Sequence, residues 1–338
     1  MHKEDSGYGK KTIKTAVEPE NTVFDKEEQN LRPAVLADYI GQTKIKEAVG
    51  IAINSAKKRN AAMPHTLLYG PPGLGKTTLA EIIANEIGGK MLYLTGATIE
   101  RPKDIVPTLM QLDTNSVLFI DEIHRMDRTA EEVLYSAMED NFVSVAIGQG
   151  EQTKQIKLTL PPFTLIGATT KAGMLSKPLR DRFGLSCRME YYSLNELAEI
   201  SERTAKIYGL TIPDECAQIV AKCARGTPRI VNRHVVRIRD YAIVKDVDIT
   251  EQTVYAALKS FGISKNGLDD TDIKLLKILM EADSPVGIKT LGEILGEDNE
   301  TLIEVYEPFL LKSGYIEKTP RGRVITNKGK LVLESEDL

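Results

Sequence analysis

Tryptophan is absent from this 338-residue chain, cysteine occurs only three times, and aromatic residues make up 6% of it. Cys187, Cys216 and Cys223 are odd in number and show no Cys-x-x-Cys spacing, which argues against a disulfide framework. The sequence also lacks an apolar run long enough to span a membrane, and its N-terminus does not resemble a secretion signal. We therefore expect a protein of the reducing cytoplasm that does not associate with membranes.

An excess of positive charge is also missing, since the formal net charge is −4. No global basic field points to nucleic acid, so any DNA contact must come from a local basic patch. Hydrophobic residues at 42% and charged residues at 27% are ordinary for globular proteins. The length is sufficient for two or three domains, each with its own core.

The most informative segment is Gly70–Thr77, which matches the phosphate-binding pattern G-x-x-x-x-G-K-T. A short β-prone segment precedes it, and apolar residues at helical spacing follow it as far as Ile87. In this context the glycines turn backbone N–H groups toward a phosphate chain. Lys76 is predicted to contact the β- and γ-phosphates, and the Thr77 hydroxyl is predicted to ligate Mg²⁺. The pattern indicates a nucleotide-binding protein.

Changes in periodicity divide the chain into four parts. Residues 1–30 are polar, with charges of both signs, and we expect a flexible tail. Residues 31–192 alternate strands and helices, which favours a parallel sheet covered by helices. Residues 193–263 are predicted to be helical, and 264–338 show three helices and a hairpin, the layout of a winged helix. The predicted strands of the second part are Thr66–Tyr69, Met91–Leu94, Val117–Asp121, Phe163–Thr169 and Arg188–Tyr191.

Polar residues at the ends of two apolar strands are candidates for catalysis. Asp121 is expected to hold Mg²⁺ directly or through water, and Glu122 to act as the general base for an attacking water. Thr169 ends another apolar strand, where it would contact the γ-phosphate or the water; alternatively it simply terminates the strand. His124 has two open interpretations, a γ-phosphate sensor or a structural histidine.

Arginines suggest contacts between subunits and between domains. Arg180 and Arg182 lie in a tight turn far along the chain from the P-loop, which fits an arginine finger acting on a neighbouring subunit. The alternative is a surface ion pair with Asp181. Arg229 opens a helix of the helical part and is predicted to reach the γ-phosphate of its own subunit, whereas Arg233 and Arg237 are more typical of a solvated face.

Two hairpins are candidate interaction elements. The segment Phe142–Leu160 reads as two strands around a polar loop, Gly148–Glu151, and its apolar edge favours a protein partner. Basic residues surround the final hairpin, whereas the preceding helix is acidic, so we expect the wing rather than the helix to contact DNA phosphates. An ordinary charged terminus is the alternative. The basic residues are Lys312, Lys318, Arg321, Arg323, Lys328 and Lys330, and the acidic ones are Glu300, Glu304 and Glu307.

Together these motifs resemble the AAA+ superfamily and, within it, the RuvB family of Holliday-junction branch-migration motors. The resemblance implies an α/β P-loop AAA+ ATPase core, with helices on a parallel sheet, followed by a helical lid and a winged-helix domain. The most specific matching segments are Gly70–Ala80, Leu118–Arg125, Glu131–Asp140, Leu160–Gly173, Pro178–Gly184, Ala224–Arg229 and Thr319–Arg323.

The resemblance also implies roles for individual residues. Lys171 and Lys318 stand where the family more often has arginine, and Asn141 where it more often has an aromatic residue. Arg182 matches the finger, with Arg180 beside it, and Thr169 resembles the first sensor. The implied nucleotide contacts are Leu31, Arg32, Gly73, Gly75, Lys76, Thr77, Thr78, Glu139, Asp140, Asn141, Arg182, Tyr192 and Arg229, and the implied DNA contacts are Lys318, Arg321 and Arg323.

The implied activity is ATP hydrolysis with Mg²⁺, in a ring expected to be hexameric, driving branch migration on duplex DNA in bacterial cytoplasm. The implied partners are RuvA, through the 142–160 hairpin, and RuvC in the resolving complex. An alternative is a clamp-loader-like switch that hydrolyses ATP without translocation. A DNA-binding regulator with a vestigial ATPase is opposed by the intact Lys76, Asp121, Glu122, Thr169 and Arg182.

Overall fold

A five-stranded parallel sheet in the order β2–β3–β6–β1–β7 forms the centre of the first domain. The computed structural model describes residues 30–147 and 154–336. A two-stranded antiparallel hairpin, β4–β5, is inserted between β3 and β6, and β8–β9 forms a second hairpin near the C-terminus. The strands are β1 Thr66–Tyr69, β2 Met91–Thr95, β3 Val117–Asp121, β4 Phe142–Ile147, β5 Lys154–Thr159, β6 Thr164–Thr169, β7 Leu185–Arg188, β8 Ile316–Thr319 and β9 Gly322–Ile325.

Helices cover the sheet and form the rest of the chain, and several begin at side-chain caps. Asp127 caps the fourth helix by accepting from Thr129 N–H at 2.8 Å, and Ser193 forms a capping box with Glu196. The helices are α1 Thr43–Arg59, α2 Lys76–Ile87, α3 Pro102–Leu109, α4 Arg128–Asp140, α5 Lys177–Asp181, α6 Leu194–Ile207, α7 Asp214–Cys223, α8 Pro228–Lys245, α9 Glu251–Ser260, α10 Asp270–Glu281, α11 Ile288–Leu295, α12 residues 299–312 and α13 Asn327–Glu336.

The last strand of the sheet differs from its prediction. β7 begins at Leu185 rather than Arg188, because it pairs with β1 from Thr66↔Leu185 to Tyr69↔Arg188 and so ends level with β1. The predicted strand at Arg188–Tyr191 is therefore wrong beyond its first residue. The residues that follow β7 lead into the helical domain, where Tyr192 donates its N–H to Gly226 O at 3.1 Å.

Three apolar cores hold the described residues together. One lies on the P-loop side of the sheet and is shared with the helical domain, since Leu79 of α2 and Val220 of α7 belong to the same cluster. A second core covers the opposite face of the sheet, around Leu118 of β3 and Leu134 of α4. The winged domain has its own core around Leu276 and Leu310. The helical domain thus shares a core with the ATPase domain, whereas the winged domain packs around a separate one.

The α12 helix is not the single regular helix that the sequence predicts. It consists of a short α turn, Asn299–Thr301, a π-helical turn, Leu302–Tyr306, and an α-helical end, Glu307–Lys312. Pro308 lies in the last piece and has no N–H to donate to the carbonyl of Glu304, which disfavours a regular α-helix at this point. The wider turn sets which faces the glutamates of α12 occupy.

A buried histidine in the helical domain predicts a specific pH dependence. The Nε2 atom of His234 lies 3.2 Å from Cys223 O, and burial lowers the pKa of His234 to about 4. The unfolded chain therefore binds more protons below the ordinary histidine pKa of about 6.5, and stability falls as pH falls.

We expect this group to lower the free energy of unfolding by about 2 kcal/mol between pH values of about 7.5 and about 5. His234→Gln keeps a donor for the Cys223 carbonyl but does not titrate, so its urea-unfolding free energy should fall less over this range. Equal losses in both proteins would contradict the assignment.

Candidate active site

The P-loop connects β1 to α2 and has a backbone suited to phosphate. Gly73 and Gly75 adopt positive φ angles of 77° and 91°, a region that favours glycine. Lys76 is buried, and its Nζ donates to Gly70 O at 2.8 Å and Pro71 O at 2.9 Å. A phosphate chain offers this ammonium stronger, charged acceptors than the two carbonyls. Thr77 and Thr78 follow in the first turn of α2, half-buried.

Two tyrosines support the P-loop from inside the protein. The hydroxyl of Tyr192 donates to Leu74 O at 3.2 Å and lies 3.0 Å from the hydroxyl of Tyr39, which is itself 3.4 Å from Leu74 O. Burial raises the pKa of both phenols, so both stay neutral. Tyr192 was predicted from the sequence, whereas Tyr39 was missed, because a tyrosine upstream of α1 carries no motif.

The helical domain contacts the P-loop directly. Arg229, in the first turn of α8, donates its backbone N–H to Gly73 O at 3.4 Å. A Cβ atom on Gly73 would lie 3.3 Å from the Cβ of Arg229, so glycine permits both the loop conformation and this close approach. The Arg229 side chain is exposed at this junction, and its contact with the nucleotide stays a prediction.

The two acids lie at the carboxyl end of β3, beside the P-loop. Asp121 ends the strand, and Glu122 follows with φ = 44°, a left-handed conformation that is unusual for glutamate. Gly96, at the end of β2, has no room for a side chain, since a Cβ there would lie 2.3 Å from Glu122 O. The bend after β3 therefore requires glycine at position 96, in the loop that follows β2.

The carboxylate of Glu122 is held by the residue after β6. Thr170 donates both its backbone N–H and its hydroxyl to Oε2 of Glu122, each at 3.1 Å. Nδ1 of His124 lies 3.1 Å from the same oxygen and 2.8 Å from Oγ1 of Thr169. Thr169, the predicted sensor, is thus linked to Glu122 through His124, whereas Thr170, which sequence reasoning missed, contacts it directly.

Electrostatics tie Lys76 and the acids into one site. The pKa of Lys76 is lowered, mainly by burial, and the negative charges of Glu122 and Asp121 oppose this shift. The three groups therefore interact electrostatically. Burial raises the pKa of Asp121 and lowers that of His124, which is therefore neutral at pH 7. A hydroxyl at Thr77 and a carboxylate at Asp121 are oxygen ligands of the kind that Mg²⁺ takes together with phosphates and waters. Within the described ranges no cluster of three or more His, Cys, Asp or Glu side chains could hold a metal ion by itself.

The arginine predicted as a finger lies away from this cluster. Arg182 follows α5 and donates to Glu139 at 2.9 Å and to Pro178 O at 2.8 Å. Its guanidinium also lies 4.5 Å from the ring centroid of Tyr135. The ion pair is therefore with Glu139 rather than Asp181. The neighbouring Arg180 is exposed.

The C-terminal end of α4 carries three further residues that are predicted to contact the nucleotide. Glu139 and Asp140 are exposed at the end of the helix. Asn141 has φ = 51° and ends α4, and its carbonyl accepts from Leu160 N–H at 2.7 Å. Asparagine tolerates this left-handed conformation better than most residues. Leu31 and Arg32 belong to the preceding unit, Met1–Arg32, and stay predictions.

The three residues predicted to contact DNA from the β8–β9 wing differ in exposure. Lys318 and Arg321 are exposed near its tip. Arg323 instead is buried, at 7% exposure, and its Nε donates to the buried carboxylate of Glu307 in α12. Its backbone also pairs with Val286. Arg323 is therefore paired with Glu307 in this structure, and Glu307 is buried rather than part of an acidic surface, while the DNA contact of Arg323 stays a prediction.

The inserted hairpin presents an apolar residue to solvent. Phe142 of β4 pairs with Thr159 of β5, and Ile156 is 42% exposed. The predicted polar loop, 148–151, lies outside the described residues. Among the described helices, none combines the length and the apolar character of a membrane span.

Comparison with known proteins agrees with this arrangement. Three family models match consecutive parts of the chain: the Holliday junction DNA helicase RuvB P-loop domain over 31–189, the RuvB AAA lid domain over 192–264, and the RuvB C-terminal winged helix domain over 265–334.

Relatives named Holliday junction branch migration complex subunit RuvB share 50% identity with this chain. The one from Lactobacillus gasseri matches over 309 residues, 90% of this chain and 91% of its own. The one from Fusobacterium nucleatum matches over 304 residues, 89% and 92%. The solved structure of the Thermotoga maritima RuvB Holliday junction branch migration motor superposes with a TM-score of 0.81 at 41% identity. The match covers 90% of this chain and 99% of that one. Three matching domains in one order, around an intact P-loop and acidic pair, place this chain in the RuvB family of ATP-driven Holliday junction branch migration helicases.

Proposed function

We propose that this chain moves the branch point of a Holliday junction by coupling ATP hydrolysis to movement along duplex DNA. The observation that carries the proposal is the meeting of Lys76, Asp121 and Glu122 at one sheet edge, within a chain that also holds a winged-helix domain. A nucleotide site alone would support many functions, and a winged helix alone would support passive DNA binding. Their presence in one chain favours a motor.

In the proposed site Lys76 releases the P-loop carbonyls and binds the β- and γ-phosphates, while Thr77 and Asp121 hold Mg²⁺. Bound Mg²⁺ neutralises charge that develops on the phosphates. Glu122 orients and polarises the attacking water once its carboxylate leaves Thr170. Arg229 approaches the nucleotide from the lid, and Gly73, Gly75 and Thr78 supply backbone donors. Leu31 and Arg32 are proposed on the adenine side, with Tyr192 behind the P-loop.

The proposed ring places Arg182 at the γ-phosphate of the adjacent subunit. Contacts with Glu139 and Tyr135 of the same chain support this proposal. They hold the guanidinium against α4, rather than against the P-loop of its own subunit. A finger in trans requires an oligomer, and we propose the hexameric ring that the family resemblance implies. Glu139, Asp140 and Asn141 then lie at the same subunit interface.

We propose that Lys318 and Arg321 contact DNA phosphates from the wing. RuvA is proposed to bind the 142–160 hairpin, whose exposed Ile156 supports an apolar protein contact. RuvC would join in the resolving complex, in bacterial cytoplasm.

The deciding experiment is a branch-migration assay on a synthetic four-way junction, with ATP and with and without the cognate RuvA. A motor hydrolyses ATP and moves the branch point. A clamp-loader-like switch hydrolyses ATP without moving it, and a passive regulator does neither, so either of these results would overturn the proposal.

The two wing arginines give a matched pair of variants. Arg321→Gln is expected to weaken DNA binding uniformly across sequences and to reduce the slope of log K against log salt by about 1, with little change in stability. Arg323→Gln leaves the Glu307 carboxylate buried without its partner, and we expect the unfolding free energy of the winged domain to fall by about 3 kcal/mol.

DNA affinity by fluorescence anisotropy at several salt concentrations and unfolding in urea separate the two effects. A salt slope reduced by Arg323→Gln at unchanged stability would restore Arg323 as a phosphate contact.

A further inference from the structure

One lysine joins the loop after β6 to the winged domain. Nζ of Lys171 donates to Glu300 at 2.8 Å and also forms an ion pair with Glu304. The two glutamates lie four residues apart on α12 and converge on this one ammonium group. The sequence predicts an acidic α12 that repels phosphate, whereas in the structure these two acids share one lysine of the ATPase domain.

The same lysine directly follows the residues that hold the catalytic carboxylate. Thr170 gives Glu122 two hydrogen bonds, and Lys171 itself donates its N–H to Oγ1 of Thr169 at 3.0 Å. The backbone of Lys171 therefore directly adjoins the donors that Glu122 uses. The position of α12 and the position of Glu122 are linked through three consecutive residues.

On the other side, α12 is fastened to the wing. Glu307, one turn beyond Glu304, pairs with Arg323, which lies opposite Lys318 in the β8–β9 ladder. A load on the wing is thus passed to α12 through a buried ion pair and then to Lys171. The winged domain also contacts the helical domain, where Arg225 pairs with Asp272 at 2.5 Å. Loss of the Lys171 contact therefore leaves the winged domain attached to the helical domain.

We propose that Lys171 is a positioning residue through which the winged domain sets the catalytic carboxylate of Glu122. With α12 docked, Lys171 keeps Thr170 on Glu122, and the carboxylate is held by donors rather than free to accept a proton from water. Displacement of α12 by DNA on the wing releases Lys171, the loop after β6 and Glu122. This inference rests on the proposed function, in which Glu122 activates the water and DNA is bound by the wing.

The test compares steady-state ATP hydrolysis of the full chain with and without duplex DNA. Lys171→Ala is expected to raise kcat without DNA about three- to fivefold, the size expected for partly exposed ion pairs, with KM for ATP unchanged. The rate with DNA should not change, so the stimulation by DNA falls by the same factor. Glu300→Gln with Glu304→Gln should behave in the same way.

Matched variants separate positioning from general damage. Lys171→Arg keeps the charge and should retain wild-type stimulation. Lys177→Ala removes an exposed lysine of the same segment that has no ion pair in the described structure, and should also match wild type. Combining Lys171→Glu with Glu300→Lys and Glu304→Lys restores the attraction with reversed signs and should recover stimulation that Lys171→Glu alone loses.

Hydrogen–deuterium exchange gives a readout that does not depend on hydrolysis. Peptides covering 169–175 and 299–306 should exchange faster in Lys171→Ala than in wild type, in the absence of DNA. Wild-type exchange together with wild-type stimulation in Lys171→Ala would overturn the inference. Hydrolysis by the wild-type protein that does not respond to DNA would also overturn the inference, whereas failure of the proposed function appears separately, as an unmoved branch point in the junction assay.

Discussion

Replacing Glu122 with glutamine is expected to leave ATP binding intact and to lower kcat for hydrolysis by about 10²- to 10⁴-fold, the usual contribution of a general base. Glutamine has nearly the same shape and still offers an oxygen to the two donors of Thr170, so the loop after β6 should keep its place. The variant loses only the ability to polarise water and accept its proton. Because the nucleotide is bound but not consumed, the variant should accumulate on DNA with ATP.

Single-turnover hydrolysis and equilibrium binding of a fluorescent ATP analogue measure the two effects separately. Glu132→Gln is the matched control, since Glu132 is exposed on α4 away from the P-loop. Wild-type turnover by purified Glu122→Gln would remove Glu122 from the mechanism.

Replacing Arg182 with alanine is expected to lower ATP hydrolysis by the assembled protein about 10³-fold or more, the effect of removing an arginine finger. The defect should lie in kcat, because the guanidinium stabilises charge in the transition state at a neighbouring site. Arg180→Ala removes the adjacent exposed arginine and should have a much smaller effect, which decides which of the two acts as the finger.

Mixed assemblies test whether the finger acts in trans. Arg182→Ala subunits keep an intact P-loop, and Lys76→Ala subunits keep an intact finger, so a mixture forms some interfaces with both groups present. Activity in the mixture above the sum of the two inactive proteins is expected. Absence of any recovery, with mixing verified by differently labelled subunits, would contradict an action in trans.

Much of the nucleotide site could be predicted because it is local in sequence. The P-loop glycines and Lys76 lie in one segment, and the continuous apolar run at Val117–Asp121 fixes the strand that carries both acids. The three-domain order also followed from changes in periodicity. The predicted domain boundaries stay predictions, but the element types on either side agree with the structure.

The contacts that the sequence alone did not predict belong to residues whose surroundings depend on a distant partner. Two threonines follow each other at the end of β6, and only the approach of Glu122, 48 positions earlier, makes Thr170 rather than Thr169 its direct contact. In the sequence Arg323 cannot be distinguished from the other basic residues of the wing. Only the folded structure shows that Glu307 of α12 pairs with it. The face of α12 on which Glu307 lies depends on the π-helical turn before it, and the periodicity of apolar residues does not predict such a turn.

The burial of Arg323 bears on how the protein transmits force. A two-stranded ribbon projecting from a domain bends easily, and a motor that pushes on DNA through such a ribbon would lose part of each stroke as elastic deformation. Here the second strand is anchored close to its turn, at Arg323, by the ion pair with Glu307 and by two backbone hydrogen bonds with Val286. Lys318 lies level with this anchor in the opposite strand, and only the turn with Arg321 projects beyond it. The lever arm between the anchor and the DNA is therefore a few residues long at most, and its compliance is correspondingly low.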